Sequence, residues 1–340
     1  MSPPPGARAS RAYAASESSG VQSSHLDVSG KEAVSGSEKS AALPVFLPKS
    51  FDPPFEKTAD EQDGKWIPLG DAERGELAAR PTVVLYRSTV HPHRVSRFIK
   101  MDVVAIDLRR LTLQWVLGKK DVGAEQYAKQ AAVGLIPENL QASAVAIFNG
   151  GFLARHGYWG VMSRDVTFVP PRDNGCTLGL YEDGAVDIKA WKQLGLSGLV
   201  GYRQAPPCLV ENGTLHPYLL SGASQLWAGR SKKRKTRRRS AVGINADRTV
   251  LYYALGTETQ AVDLARGLLA VGAQNALQLD INWNWTRFLL VGRRDDGQPR
   301  VTSTLIEDIA FGKNEYFSYP ASRDFFFLAD RELSVVAETP

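Results

Sequence analysis

A change of hydrophobic period between Arg239 and Trp285 constrains this fold more than any other feature of the chain. Ser240–Ile244 and Val250–Leu255 are short apolar runs, separated by Asn245-Ala246-Asp247-Arg248-Thr249, whose Asn and Asp favour a reversing loop. They predict a hairpin. From Thr259 the spacing turns helical: Ala261, Leu264, Ala265 and Leu268 share one face, Thr259 serves as N-cap, Asp263 sits in the first turn and Gly272 stops the helix. Ala276–Ile281 then reads as a buried strand, and a strand–helix–strand crossover leaves its two strands parallel.

This arrangement gathers chemistry at one edge. In the hairpin Arg239 lies beside Gly256-Thr257-Glu258, and the parallel strand ends at Asp280 on the same side. A cation, a helix N-terminus with free N–H groups and a carboxylate are therefore expected together, a set that suits an anionic substrate and an acid–base step. Spacing alone fits equally well an Asp that caps a turn and an Arg that flanks a strand.

Around that unit the chain reads as one domain. Its 340 residues and 43% apolar content suffice for a real core. Residues 1–62 are rich in Ser, Ala, Gly and Pro without apolar periodicity, and are expected to form a disordered arm. Order is expected from residue 63 to about 335. Thr82–Tyr86, Met101–Leu108, Leu111–Leu117, Ala144–Phe148, Thr177–Tyr181, Ala185–Ile188 and Cys208–Val210 read as strands, and Gly123–Val133 as an amphipathic helix. Arg287–Val291 and Val301–Leu305 read as a last hairpin, and Phe325-Phe326-Phe327 as a segment packed on the core, neither carrying chemistry. The predicted class is α+β, a mixed β-sheet with a few packed helices.

Charge points to one segment rather than to the whole surface. Net charge is +5, yet Arg230–Arg239 alone holds eight basic residues, so the remainder is net negative. That run reads as a loop, either merely solvated or attracted to a polyanion such as nucleic acid. It contains no aromatic residue, which weighs against single-stranded nucleic acid. Asp280-x-Asn282-x-Asn284 begins like a calcium loop, but Trp285 stands where glycine is required and Val291 where the bidentate Glu belongs, so an EF-hand is rejected. No His/Cys spacing suggests zinc, and no cofactor or metal is required. No apolar run follows an early basic cluster, so no signal peptide is expected, and no stretch is long enough to span a membrane as a helix. Cys176 and Cys208 fit either one disulfide or two free thiols.

Four pieces in order carry a family resemblance: IFNGGF at 147–152, LGLYEDG at 178–184, APPCLVENG at 205–213, and RRSAVGI followed by GTETQAVDLARGLLAVGAQNALQLD, which ends at Asp280. Together they resemble the phosphodiester glycosidase family, over roughly Val103 to Phe311. The resemblance implies a hydrolase that cleaves a glycosyl phosphodiester, or a related glycosidic bond in a phosphate-bearing glycan, and an extracytoplasmic location. Arg239 would bind phosphate with the N–H groups of Thr257 and Glu258, Asn149 with Gly150 and Gly151 would position the sugar, and Asp280 would act at the anomeric carbon or its water. Glu258, Asp165 and His156 are the candidates for the second acid. The family's glycine pair after the aspartate is replaced here by Ile281-Asn282-Trp283-Asn284-Trp285, which predicts a reshaped pocket with Asn282 and Trp283 on the substrate. Two alternatives stay open: an inactive sugar- or cell-wall-binding module whose Trp283 and Trp285 stack on a ring, and a polyanion binder acting through 230–239.

Overall fold

The computed structural model describes residues 43–69, 84–120, 134–221, 224–228 and 236–338. The expected helix at 123–133 and the basic residues 230–235 lie outside these. Three antiparallel sheets build the domain. The first has eight strands in the order β1 (Ile67–Pro68), β2 (Leu85–Val90), β3 (Met101–Asp107), β14 (Val250–Thr259), β13 (Arg237–Ile244), β15 (Asn275–Gln278), β11 (Val210–Glu211), β12 (Thr214–Leu215). The second orders β17 (Pro299–Thr304), β16 (Phe288–Arg293), β5 (Ala144–Asn149), β18 (Phe325–Asp330) and β4 (Leu111–Val116). The third orders β7 (Val166–Val169), β6 (Val161–Ser163), β10 (Leu199–Ala205), β8 (Cys176–Tyr181) and β9 (Val186–Ala190).

The organising unit forms as its periodicity requires. β13 and β14 make the hairpin, with Arg239 opposite Gly256. β15 pairs antiparallel with β13, so β14 and β15 run parallel with β13 between them. The connecting helix is Ala261–Ala270, and its Leu264, Ala265 and Leu268 are fully buried. Its N-cap is Gln260 rather than Thr259, because β14 runs on to Thr259 before the chain turns.

Two expectations are corrected. The few packed helices are as expected, but the fold is mostly β, and its described strand ladders are antiparallel rather than mixed. Hairpins need only tight turns, and turn signals such as Glu182-Asp183-Gly184 recur along the chain, with Gly184 at φ 77°. The ordered chain also begins before residue 63. Phe46 is buried against Tyr86, with ring centroids 5.6 Å apart, and Thr58 Oγ1 donates to the His93 carbonyl at 2.9 Å. Asp63 accepts the His91 backbone N–H at 2.8 Å and meets His91 Nδ1 at 2.6 Å, fastening this segment to the end of β2. Composition missed it because widely spaced apolar anchors leave no periodic pattern.

The core beneath the site is aromatic. Phe148 of β5 stacks on Phe288 of β16 and Phe326 of β18 at 6.0 and 5.3 Å, and Tyr253 of β14 closes the cluster at 5.1 Å from Phe148. Those contacts join the first sheet to the second. Cys176 at the start of β8 and Cys208 ahead of β11 form a disulfide that ties the third sheet to the first. Replacing both cysteines by Ser is expected to lower stability by about 3–4 kcal/mol through the freed loop. Urea unfolding of the two proteins checks this, and an unchanged midpoint would contradict it.

Candidate functional site

Strand ends from both large sheets converge on one small chamber. β5 ends at Asn149 beside the start of β18, where Phe325 pairs with Asn149, and the start of β16 pairs Phe288 with Phe148. From the first sheet, the Ser240 N–H donates to the Asp280 carbonyl, and the Asp280 N–H donates to the Gly150 carbonyl, both at 3.2 Å. Asn149, Gly150, Gly151, Asp280, Trp285, Arg287, Tyr316, Ala321, Arg323 and Asp324 line the chamber. Its free volume is about 10 Å³, the scale of a single water molecule.

Two buried carboxylates face it. Asp324 Oδ2 accepts from Arg203 Nε at 2.8 Å, from the Gly151 N–H at 3.1 Å and from Trp115 Nε1 at 3.3 Å, while Oδ1 is buried without a protein partner. Arg203 is anchored in turn by donating to the Phe152 carbonyl. Asp280 Oδ1 accepts the N–H groups of Ile281 and Asn282 at 2.7 and 3.0 Å, and Oδ2 meets Arg323 at 2.6 Å. Burial raises the Asp280 pKa above the usual carboxylate value. Arg323 and the two N–H groups oppose that rise, and the neighbouring Asp324 charge adds to it.

Gly150 and Gly151 are needed for close approach. A Cβ on Gly150 would fall 2.3 Å from the Asp324 carboxylate, and one on Gly151 would lie 3.0 Å from the Arg203 guanidinium. Asn149 supports them rather than offering its amide to the chamber. Its Nδ2 donates to the Gly150 carbonyl and to Ser240 Oγ, both at 2.9 Å, and its Oδ1 accepts from Tyr253 at 2.9 Å and from the Arg287 N–H at 3.1 Å. All four hydrogen bonds available to its amide group are made inside the protein. Arg287 grips Glu315 with two contacts, at 3.0 and 2.9 Å. The Trp285 ring lies 5.8 Å from the Arg287 guanidinium and 5.6 Å from that of Arg323, forming one wall.

The remaining expected residues lie elsewhere. Arg239 is buried on the opposite face of β13, donating to the Thr259 and Trp227 carbonyls and to Gln278 Oε1 at 3.0, 2.7 and 2.8 Å. Burial pulls its pKa down to about 10, nearby Arg237 adds to that fall, and Asp263 opposes it. Arg239 and Ser240 are adjacent in a strand and so point to opposite sides. Arg238 takes the site side, where it lies 3.7 Å from the Trp283 ring and donates to the Trp283 carbonyl at 3.0 Å. The 237–239 part of the expected basic loop is thus strand.

The helix N-terminus offers no anion site, because Gln260 and Asp263 close a reciprocal capping box there. Thr257 and Glu258 belong to β14, and Glu258 is exposed, accepting from Thr236 at 3.2 Å. His156 is exposed on a short turn, Ala154–His156. Asp165 is an exposed hairpin residue at φ 64°. Asn282 and Trp283 are exposed beside the chamber and do not line it; Asn282 accepts the Asn284 N–H. The structure therefore brings together Asp280, Asn149, Gly150 and Gly151, and adds Asp324, Arg323, Arg203 and Arg287, which sequence reasoning missed. The visible signal was the charged pair Arg323-Asp324 set against the fully apolar Phe325-Phe326-Phe327.

Residues 142–280 match the family profile described as phosphodiester glycosidase. This stretch is phosphodiester glycosidase-like. The catalytic domain of zebrafish N-acetylglucosamine-1-phosphodiester alpha-N-acetylglucosaminidase, solved auto-inhibited by its pro-peptide, is 13% identical, with 74% of this chain and 85% of that chain covered and a TM-score of 0.45. A hypothetical protein from Synechocystis is 12% identical, covering 75% of this chain and 65% of that one, with a TM-score of 0.40. No curated protein sequence matches. The matched glycosidase-like stretch contains β5, the glycine pair and Asp280, and it ends before Arg323 and Asp324. No helix among the described residues is long and apolar enough to cross a membrane.

The chamber's electrostatics give a direct expectation. Removing the Arg323 charge takes away the largest influence holding the Asp280 pKa down, so Arg323→Gln should move it further upward. Carboxyl-carbon NMR titration, with Asp280→Asn to assign the signal, measures this. A downward move on removing Arg323, or an Asp280 pKa at or below the ordinary value in the unsubstituted protein, would contradict the geometry.

Proposed function

We propose that the chain is a hydrolase that cleaves a glycosyl phosphodiester, with Asp280 and Asp324 as its reacting carboxylates. The observation that carries this reading is a pair of buried carboxylates on one water-sized chamber, with Asp324 Oδ1 unpartnered. Glycosidic cleavage commonly uses two carboxyl groups, one to activate water and one at the leaving oxygen. Arg203, Trp115 and the Gly151 N–H fix Oδ2 of Asp324, which leaves Oδ1 to take a proton from water attacking the anomeric carbon. Asp280, its pKa raised by burial, is suited to exchange a proton with the leaving oxygen, and Arg323 supplies positive charge beside it.

The phosphate monoester released is a weak base, so little protonation of the leaving oxygen is needed. The bond between the anomeric carbon and the phosphate oxygen breaks, water supplies the new hydroxyl, and the other products are a phosphate monoester and a proton. The chamber as it stands has room for about one water, so a sugar ring bound beside the carboxylates requires a wall residue such as Trp285 to move. The family match over residues 142–280 supports the substrate class. The roles first assigned to Arg239 and Asn149 pass in this reading to Arg323 and to support of the glycine pair.

The test is a screen of purified protein against glycosyl 1-phosphodiesters of several hexoses and N-acetylhexosamines. Asp324→Asn and Asp280→Asn should each lower kcat/KM by about 10²- to 10⁴-fold. Arg239→Gln should instead cost about 3 kcal/mol of stability by stranding buried carbonyls, read by urea unfolding. Turnover that survives either carboxylate change would overturn the reading. Sugar binding without turnover in the unsubstituted protein would identify a binding module instead.

A further inference from the structure

The hairpin of β2 and β3 closes in a loop whose side chains neither the core nor the chamber uses. Residues 94–100 read Arg-Val-Ser-Arg-Phe-Ile-Lys, with three cations and no acid. Phe98 is 88% exposed and Val95 78%, and Arg94, Arg97 and Lys100 are exposed beside them. Single apolar side chains at a surface are ordinary. Val95 and Phe98 instead stand three positions apart between cations and make an amphipathic tip.

The loop is held in this form. The N–H groups of Val95 and Ser96 donate to His93 Nδ1 at 3.4 and 3.1 Å, and the His93 carbonyl accepts from Thr58 Oγ1 at 2.9 Å. His91 and Pro92 are buried at its base. The acids around that base are engaged: Asp102 meets Arg87 at 2.8 Å, Asp63 meets His91 Nδ1 at 2.6 Å, and Asp60 lies 3.7 Å from His91 Nε2. Among the described residues no carboxylate pairs with Arg94, Arg97 or Lys100. Their positive charge therefore faces solvent uncompensated, around two apolar side chains that gain by leaving water.

Charge and apolarity together select the partner. Nucleic acid would answer the cations, but its binders track the backbone along a groove and stack bases on aromatic rings; a hairpin tip has no groove, and Val95 cannot stack. An anionic bilayer answers both, offering phosphates to Lys and Arg and an apolar interface to Phe and Val. We propose that residues 94–100 dock on an anionic phospholipid surface, with Phe98 and Val95 at the boundary of headgroups and acyl chains and the three cations on headgroup phosphates.

Strand register shows which end of the molecule then faces the membrane. Gly256 of β14 pairs with Met101 on one side and with Arg239 on the other, and the Ser240 N–H donates to the Asp280 carbonyl. The loop leaves the first sheet at the end where the chain passes Asp280, so docking turns that end towards the bilayer. No chamber residue enters the proposal, which stands apart from the hydrolase reading.

Co-sedimentation with vesicles of phosphatidylcholine mixed with phosphatidylserine, and of phosphatidylcholine alone, tests it. The protein should partition at least tenfold more strongly onto the mixed vesicles. The double change Val95→Ser/Phe98→Ser and the triple change Arg94→Gln/Arg97→Gln/Lys100→Gln should each weaken that partition at least fivefold, with the urea midpoint unchanged because all five side chains are exposed. Insertion is read separately from an environment-sensitive fluorophore on Phe98→Cys, the only free thiol, since Cys176 and Cys208 are disulfide-bonded. Its emission should shift to the blue on mixed vesicles. The same fluorophore on Ala246→Cys, exposed in the turn at the opposite end of β13 and β14, should not shift. Absence of binding, equal binding to phosphatidylcholine alone, or binding that neither set of changes weakens overturns the proposal. So does an unshifted emission at residue 98, or a Phe98-dependent affinity for an oligonucleotide that exceeds the affinity for vesicles.

Discussion

The Asp324 carboxylate lies against the backbone of Gly150 and Gly151, and the geometry of the chamber follows from that contact. A side chain at residue 150 would occupy the space of the carboxylate itself. With glycine there, the Gly151 N–H reaches Oδ2, the Gly150 carbonyl accepts from Asp280, and Arg203 closes on the opposite side. Burying a carboxylate is costly unless it is paired and hydrogen-bonded. Here one oxygen is secured three times and the other is left without a protein partner. An unpartnered buried oxygen of this kind calls for a reason beyond stability.

Asn149 converts fold into site. It is the last residue of β5, and its amide reaches Ser240 and Tyr253 in the neighbouring sheet while its Oδ1 also receives the N–H of Arg287. The aromatic cluster of Phe148, Phe288, Phe326 and Tyr253 lies directly beneath. Packing density in that core therefore sets how far apart the ends of β5, β13, β16 and β18 stand, and with them the two carboxylates.

Much of this was legible in the sequence where local pattern and tertiary position agree. The hairpin, the crossover helix and the parallel course of β14 and β15 followed from a change of period, and Asn149, Gly150, Gly151 and Asp280 lie along one chamber. Arg239 was placed at the right position along the strand and on the wrong face. A strand alternates sides residue by residue, and in a run of Arg237, Arg238 and Arg239 nothing local says which one is buried against the helix. Asp324 escaped notice because its partner, the glycine pair, lies far away in the chain and the join depends on β18 pairing with β5. In the altered segment after Asp280, Trp285 walls the chamber, while Asn282 and Trp283, expected on the substrate, lie outside its lining and Trp283 covers Arg238.

The central claim is that Asp280 and Asp324 work as one unit, and a double-mutant cycle in kcat/KM on a glycosyl phosphodiester tests it most directly. Residues that act in one step are strongly non-additive, so the Asp280→Asn/Asp324→Asn protein should be no more than about tenfold slower than the slower single variant. Losses that multiply in full, or a double variant that retains the activity of the unsubstituted protein, would contradict the account.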